Sequence, residues 1–141
     1  MASKQRSRRQ FLAWFSGVSL AVVAGGRPAW ASPGPARSEH PEPRPGIDAS
    51  KVLTHEELQN TPDVIPIYDG IREIPHIADG IRCYCGCADL PTYRSLLTCY
   101  EEQGMAMWCE ICQGQGRVTY RLFKAGRTLD QIREAVDARY G

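Results

Sequence analysis

The chain has 141 residues, and its 17 Lys and Arg residues nearly balance its 16 Asp and Glu residues. This length predicts one small domain, and the near-neutral charge gives no electrostatic reason to expect a nucleic-acid partner. An apolar content of 43% excludes a wholly disordered chain. The unusual feature is a set of six cysteines confined to the stretch from Cys83 to Cys112.

The first residues have the pattern of an export signal. Arg8 and Arg9 precede an apolar stretch from Phe11 to Ala24, and Ala29-Trp30-Ala31 follows as an A-x-A cleavage pattern. The apolar stretch is shorter than the roughly 20 residues that a permanent membrane span needs, although an uncleaved anchor is an alternative. We therefore expect residues 1–31 to be a twin-arginine signal peptide. Such a signal implies export through the twin-arginine (Tat) machinery to the periplasm.

Cleavage after Ala31 would leave 12 basic and 16 acidic side chains, no stable membrane span and no cysteine placed to carry a lipid anchor. Residues 32–46 contain five prolines and hardly any apolar side chain. Such a segment cannot bury enough surface to offset the entropy of ordering, so a Pro-rich disordered linker is predicted. Residues 47–141 are then the folded domain, and a domain this small benefits from a metal or from disulfides.

Helical patterns dominate that domain. Thr54 and Glu57 have the spacing of a capping box, which predicts a short helix that ends before Pro62. Isoleucines at three- and four-residue spacing predict two short helices between Ile67 and Ile81 that meet at Pro75.

Three further helices are predicted after the first cysteines. One spans residues 91–104, another begins around Cys112 or after Gly116 and ends at Gly126, and Thr128 opens the last with a second capping box. No segment has convincing strand alternation. The predicted fold class is therefore mainly α, a small helical domain with a cysteine-rich loop cluster.

The cysteines have metal-ligand spacing: C-x-C-x-C, then a single cysteine, then C-x-x-C. Thiolates are soft ligands suited to Cu(I), Zn(II) and Fe–S clusters. Two sulfurs on one tetrahedral metal lie roughly 3.8 Å apart, whereas alternate side chains of an extended strand lie roughly 6.6 Å apart. The first segment must therefore curl to chelate an ion, and Gly86 permits that turn. The candidate metal ligands are Cys83, Cys85, Cys87, Cys99, Cys109 and Cys112.

Two alternatives to a metal site stay open. Six is an even number and the exported compartment is oxidising, so three structural disulfides could staple an envelope interaction domain. A thiol–disulfide oxidoreductase that uses Cys109 and Cys112 is the other alternative. Haem c attachment is disfavoured, because Gln113 stands where that motif requires histidine. No catalytic triad, phosphate loop or carboxylate pair is present, so a binding protein is favoured over an enzyme.

Other soft or ligating side chains are few. Met105 and Met107 precede the C-x-x-C pair and could add thioethers to a copper site, although packing is the simpler interpretation. His40 lies in the predicted linker and His55 in a helix cap, so both are expected to be solvated.

The segment Arg82-Cys83-Tyr84-Cys85-Gly86-Cys87 resembles the PCYCGC-motif family, small exported bacterial proteins that are often lipid-anchored. The resemblance runs from Tyr68 to Tyr140, with Cys99-Tyr100 similar to the family's Cys-aromatic pair and Cys109–Cys112 to its C-x-x-C. It implies the same fold and cysteine set, but little about mechanism.

The chain departs from that family at three places: Arg82 replaces a proline, Ala88-Asp89 replaces a Gly-His-type continuation, and Met105–Met107 occupies a region where relatives often carry histidine. If those histidines are ligands in relatives, the site here is all-thiolate or thiolate plus thioether. We expect an exported protein that stores, delivers or buffers a soft metal. Copper or zinc is favoured, with an Fe–S centre as an alternative and an envelope protein as the expected partner.

Overall fold

The computed structural model of the chain describes residues 39–102 and 104–141. The predicted signal, residues 1–31, and residues 32–38 of the predicted linker lie outside this part. Within it the chain forms four α-helices: α1 (Ile65–Glu73), α2 (Pro75–Asp79), α3 (Glu110–Lys124) and α4 (Leu129–Tyr140). Three short 3-10 helices also occur: Pro62–Val64, Cys87–Asp89 and Leu97–Tyr100. The described residues contain no strand, so the mainly α fold class is confirmed.

Helices α1 and α2 form where the isoleucine spacing predicts them. They meet at Ile74, whose backbone is non-helical (φ −131°, ψ 42°), because the ring of the following Pro75 disfavours the α conformation in the residue before it. Ile71 and Ile74 are completely buried. Helix α3 packs against both α1 and α4, so the apolar face of α1 lies at the centre of the domain.

The capping box at Thr128 is confirmed. Its hydroxyl accepts a hydrogen bond from the Gln131 N–H at 3.3 Å, and the Gln131 side chain accepts one from the Thr128 N–H at 3.2 Å. The capping-box hydrogen bonds at Thr54 also form, with the Thr54 N–H donating to Glu57 at 2.7 Å. Residues 55–60 nevertheless adopt turns rather than the predicted helix.

The helix predicted over residues 91–104 is wrong. Residues 91–96 form turns and irregular backbone and are followed by the short 3-10 helix, because local and distant hydrogen bonds compete with helical ones. The Thr98 hydroxyl donates to the Ser95 carbonyl at 2.6 Å and accepts from the Ser95 N–H at 3.1 Å. The Leu96 N–H donates instead to the Ile81 carbonyl, at 2.7 Å, in the segment that follows α2.

Residues 39–46, assigned above to a disordered linker, are bound to the helices. The Arg44 guanidinium and backbone N–H both donate to the buried Asp79 carboxylate, each with a shortest distance of 2.8 Å. Arg133 of α4 donates to the Pro41 carbonyl at 2.9 Å and to the Gly80 carbonyl at 3.0 Å. Composition alone suggested disorder because the segment has few apolar side chains, but polar contacts hold it in place.

Candidate metal centre

Three segments bring four thiols to one point. Cys83 and Cys85 lie in the loop after α2, Cys99 lies in the 3-10 helix Leu97–Tyr100, and Cys112 lies in the first turn of α3. The four sulfurs all lie within 4.8 Å of one another. We call this group the four-thiol cluster.

The spacing of the sulfurs fits a metal better than it fits disulfides. The Sγ–Sγ distances are 3.3 Å for Cys83–Cys85, 3.5 Å for Cys83–Cys112 and 3.4 Å for Cys85–Cys112. These distances are close to the roughly 3.8 Å that a tetrahedral thiolate site requires and far from the roughly 2.05 Å of a disulfide bond. All six cysteines lie in the described residues, and all are free thiols.

The C-x-C-x-C segment curls at Gly86. This residue has a left-handed backbone (φ +87°), which glycine adopts without the steric cost that a Cβ would bring. The Cys87 N–H then points at the Cys85 sulfur, 3.5 Å away. An ion pair between Arg82 and Asp89, at 2.6 Å, joins the two ends of the curl.

Side chains from distant segments hold the backbone around Cys83. The Arg82 N–H donates to Nδ1 of His40 at 2.9 Å, so the other ring nitrogen, Nε2, carries the proton and donates to Asp137 at 2.8 Å. The Tyr84 hydroxyl donates to the same carboxylate oxygen at 2.6 Å. Buried Gln115 of α3, with its amide oriented to satisfy both partners, donates to the Arg82 carbonyl at 3.2 Å and accepts from the Tyr84 N–H at 2.8 Å.

Helix α3 is fixed close to the cluster by a tyrosine. The Tyr100 hydroxyl donates to the Cys112 carbonyl at 2.8 Å. Gly116 allows this approach, because a Cβ at that position would collide with the Tyr100 hydroxyl. Cys112 is the third residue of α3, where the positive end of the helix dipole favours an anionic sulfur.

The four thiols do not ionise equally. Hydrogen bonds from Cys112 and Cys99 lower the pKa of Cys83. Burial raises the pKa of Cys85, while hydrogen bonds to Cys83 and Cys99, together with burial, raise the pKa of Cys112. Contacts among the sulfurs therefore favour ionisation of Cys83 over ionisation of Cys85 or Cys112. A bound metal would displace the remaining protons.

Comparison with protein-family models, with curated proteins and with solved structures finds no match. Among the described residues, no helix is long and apolar enough to cross a membrane.

The other predicted ligands stand outside the four-thiol cluster. Cys87 is buried beside Cys85 but does not belong to the group of four sulfurs, and Cys109 is half-buried at the residue before α3. Met105 is exposed and Met107 is half-buried. The structure thus brings together four of the six cysteines and neither methionine.

Sequence reasoning missed the side chains that surround the cluster. His40, expected to be solvated, has a side chain only 10% exposed and supports the loop through Arg82. Gln115 and Asp137 were not predicted as site residues, because no local pattern links them to the Cys83–Cys87 segment. His55 is exposed as expected and pairs with Asp69 at 2.7 Å.

Proposed function

We propose that this protein binds a soft metal ion through the thiolates of Cys83, Cys85, Cys99 and Cys112, and that it stores, delivers or buffers that ion after export. The observation that carries the proposal is the convergence of four sulfurs within 4.8 Å of one another. Thiolate ligands favour Cu(I) and Zn(II), and four of them suit a tetrahedral ion.

Hydrogen bonds around the loop that carries Cys83 favour a site whose ligands are oriented before the metal binds. Metal sites depend on outer hydrogen bonds that orient their ligands, and here His40, Gln115 and Asp137 hold the residues on both sides of Cys83. Three members of the cluster are buried and Cys85 is half-buried. Exchange of the ion with an outside ligand would therefore begin at Cys85.

The contacts argue against three separate disulfide staples. In that framework each C-x-C-x-C cysteine needs its own partner among Cys99, Cys109 and Cys112. Here the Cys112 sulfur contacts both Cys83 and Cys85, while Cys109 is not part of the cluster. Three sulfurs that all lie 3.3 to 3.5 Å from one another are typical of thiols arranged around one ion rather than of paired cystines.

We further propose that the chain is a PCYCGC-type protein exported by the twin-arginine route. That route carries folded proteins, so the thiols could bind a metal in the reducing cytoplasm before they meet an oxidant. The proposal is supported by the Arg8-Arg9 signal pattern and by the cysteine motif.

The test is metal binding by the full chain, purified without oxygen and titrated with Zn²⁺ and with Cu(I). We expect about one equivalent of metal, and Cys→Ser at any of the four cluster positions should lower the affinity by roughly 100-fold or more. Elemental analysis gives the stoichiometry, and competition with a chelator gives the affinity.

The chain offers matched controls in Cys87→Ser and Cys109→Ser, which should bind metal with nearly the affinity of the unsubstituted protein. Binding of well under one equivalent of either metal, together with a count of no free thiols, would overturn the metal proposal. Equal losses at all six cysteines would refute the assignment of the four-thiol cluster.

A further inference from the structure

Cys85 is the most exposed member of the four-thiol cluster. It is half-buried, whereas Cys83, Cys99 and Cys112 are at most 1% exposed. Oxidation of a cysteine requires both a thiolate and access for the oxidant. In the metal-loaded centre every ligating sulfur is a thiolate, so access decides which of them reacts. A small oxidant from the solvent therefore meets the Cys85 sulfur first.

Two sulfurs of the cluster lie in contact with the Cys85 sulfur. Cys83 Sγ is 3.3 Å away and Cys112 Sγ is 3.4 Å away. Cys83 is only two positions along the chain from Cys85, so a disulfide between them would close a small ring that strains the preferred disulfide geometry. The same argument applies to Cys87. Cys112 lies 27 residues away in the sequence, so no such ring restricts it, and it is the favoured disulfide partner.

The structure allows these two sulfurs to approach each other. A disulfide requires that their separation shorten from 3.4 Å to about 2.05 Å. Cys112 is held in α3, and its carbonyl accepts a hydrogen bond from the Tyr100 hydroxyl at 2.8 Å. Cys85 lies in the turn that contains Gly86, where no helical hydrogen bonds fix the backbone. The turn is therefore the side that moves when the bond forms.

We propose that hydrogen peroxide oxidises Cys85 in the metal-loaded centre, and that Cys112 then closes a reversible disulfide with it and so releases the metal. This inference rests on the proposed function and gives it a trigger for release. It differs from a framework of structural disulfides, because it joins one pair within the cluster and leaves the other four cysteines reduced.

The oxidation balances in two steps. The Cys85 thiolate attacks one peroxide oxygen, the O–O bond breaks, and Cys85 becomes a sulfenic acid while hydroxide leaves. The Cys112 thiolate then attacks the Cys85 sulfur, the S–S bond forms, and the S–O bond breaks with loss of a second hydroxide. The two thiolates together give up two electrons, and two protons from the solvent convert both hydroxides to water.

The disulfide removes half of the ligands from the centre. A disulfide sulfur is no longer a thiolate, and the thiolate is the form that binds metal. Only Cys83 and Cys99 of the four-thiol cluster then remain as ligands, whereas a closed tetrahedral site uses four. On the proposed export route, the chain would bind its metal in a reducing compartment and release it in an oxidising one.

The test treats the full chain, reduced and loaded with one equivalent of Zn²⁺, with one equivalent of hydrogen peroxide. We expect the count of free thiols, measured after denaturation, to fall from six to about four. Tandem mass spectrometry should assign a Cys85–Cys112 cross-link, and a chromophoric chelator should detect release of about one Zn²⁺ per chain. A phosphine reductant should restore both the thiols and Zn²⁺ binding.

Variants of single cysteines separate the two roles. Cys112→Ser, loaded with excess Zn²⁺, should stop at the sulfenic acid, which a dimedone probe traps at Cys85. Cys85→Ser under the same conditions should lose the cross-link and the trapped adduct together. Cys87→Ser and Cys109→Ser are the matched controls, because both residues lie outside the four-thiol cluster. Each control should form the cross-link and release Zn²⁺ as the unsubstituted chain does.

The outcomes distinguish this inference from the proposed function. If the unsubstituted chain binds no metal, the proposed function fails and the release of metal fails with it. If the chain binds Zn²⁺ but peroxide joins Cys83 to Cys85, or attacks all six cysteines alike, only the oxidation proposal is overturned. A Cys85–Cys112 cross-link that leaves Zn²⁺ bound would also overturn it.

Discussion

Replacement of Asp79 by asparagine should destabilise the domain strongly. The carboxylate at the end of α2 is completely buried. It accepts hydrogen bonds from Arg44 at 2.8 Å, from Arg94 at 3.1 Å and from the Ser95 hydroxyl at 2.9 Å. Asp79→Asn keeps the size of the side chain but removes the charge, and it turns an NH₂ group towards one set of these donors.

The magnitude follows from the exposure of the partners. Removing one member of a buried ion pair costs about 3–5 kcal/mol when the other member stays buried. The Arg44 and Arg94 side chains are 41% and 38% exposed, so water can solvate them after the change. We therefore expect a loss of about 2–3 kcal/mol in the free energy of unfolding, which corresponds to a Tm lower by roughly 10–20 °C in a domain of this size.

The effect should depend on pH with a definite sign. Burial alone would raise the pKa of Asp79, but hydrogen bonds from Arg44 and Ser95 hold this pKa below its ordinary value. A carboxyl with a lower pKa in the folded state stabilises the fold above its unfolded pKa, and that stabilisation is lost as the pH falls through the folded pKa. The difference in the free energy of unfolding between the unsubstituted protein and Asp79→Asn should thus be largest at neutral pH and smaller in acid.

Thermal and urea unfolding of the full chain, reduced and free of metal, measure this difference. The matched control is Asp130→Asn, because Asp130 is 85% exposed and pairs with Arg133 one turn away. That change should alter stability by less than about 0.5 kcal/mol. The reasoning is refuted if the two variants unfold alike at neutral pH, or if the loss for Asp79→Asn grows in acid.

Four other predictions concern the cluster and the helix cap. Gly86→Ala should cost about 1–2 kcal/mol because of the left-handed backbone, and chelator competition should reveal weaker metal binding; unchanged affinity would show that the curl tolerates a Cβ. Cys85 is half-buried and Cys99 is buried, so timed alkylation followed by mass spectrometry should label Cys85 before Cys99, and the reverse order would contradict the described burial. Zn²⁺ binding near neutral pH should release about three protons in weakly buffered solution, because the lowered pKa of Cys83 predicts that this thiol ionises before the metal binds; release of four would place no thiolate in the metal-free cluster. Thr128→Ala should lower the free energy of unfolding by about 1 kcal/mol through loss of the cap on α4, and an unchanged urea midpoint would argue that the cap is dispensable.

Local sequence rules predicted the elements whose hydrogen bonds are local. The cap at Thr128 formed because both partners lie within one turn, and the break at Pro75 formed because the proline ring acts on its immediate neighbour. The same rules failed over residues 91–104. There the Leu96 N–H bonds to the Ile81 carbonyl, a partner that no local pattern could reveal.

The candidate site, too, could be predicted from the sequence only in part. The sequence could predict that Cys83 and Cys85 share a site. They are separated by two positions, and the turn at the adjacent Gly86 brings their sulfurs together. Cys99 and Cys112 join them through the packing of the helices. Cys87 and Cys109 were equally good candidates from spacing alone, and only their positions in the fold separate them from the cluster.

The sequence specifies the chemistry of this protein: soft sulfur donors, a glycine that permits the curl, and helices that begin and end at local signals. The tertiary structure selects which four of the six cysteines meet. It also places His40, Gln115 and Asp137 beside the residues that flank Cys83. The reason is physical: backbone turns are set by neighbouring residues, whereas contacts across the domain depend on how α1, α3 and α4 pack together.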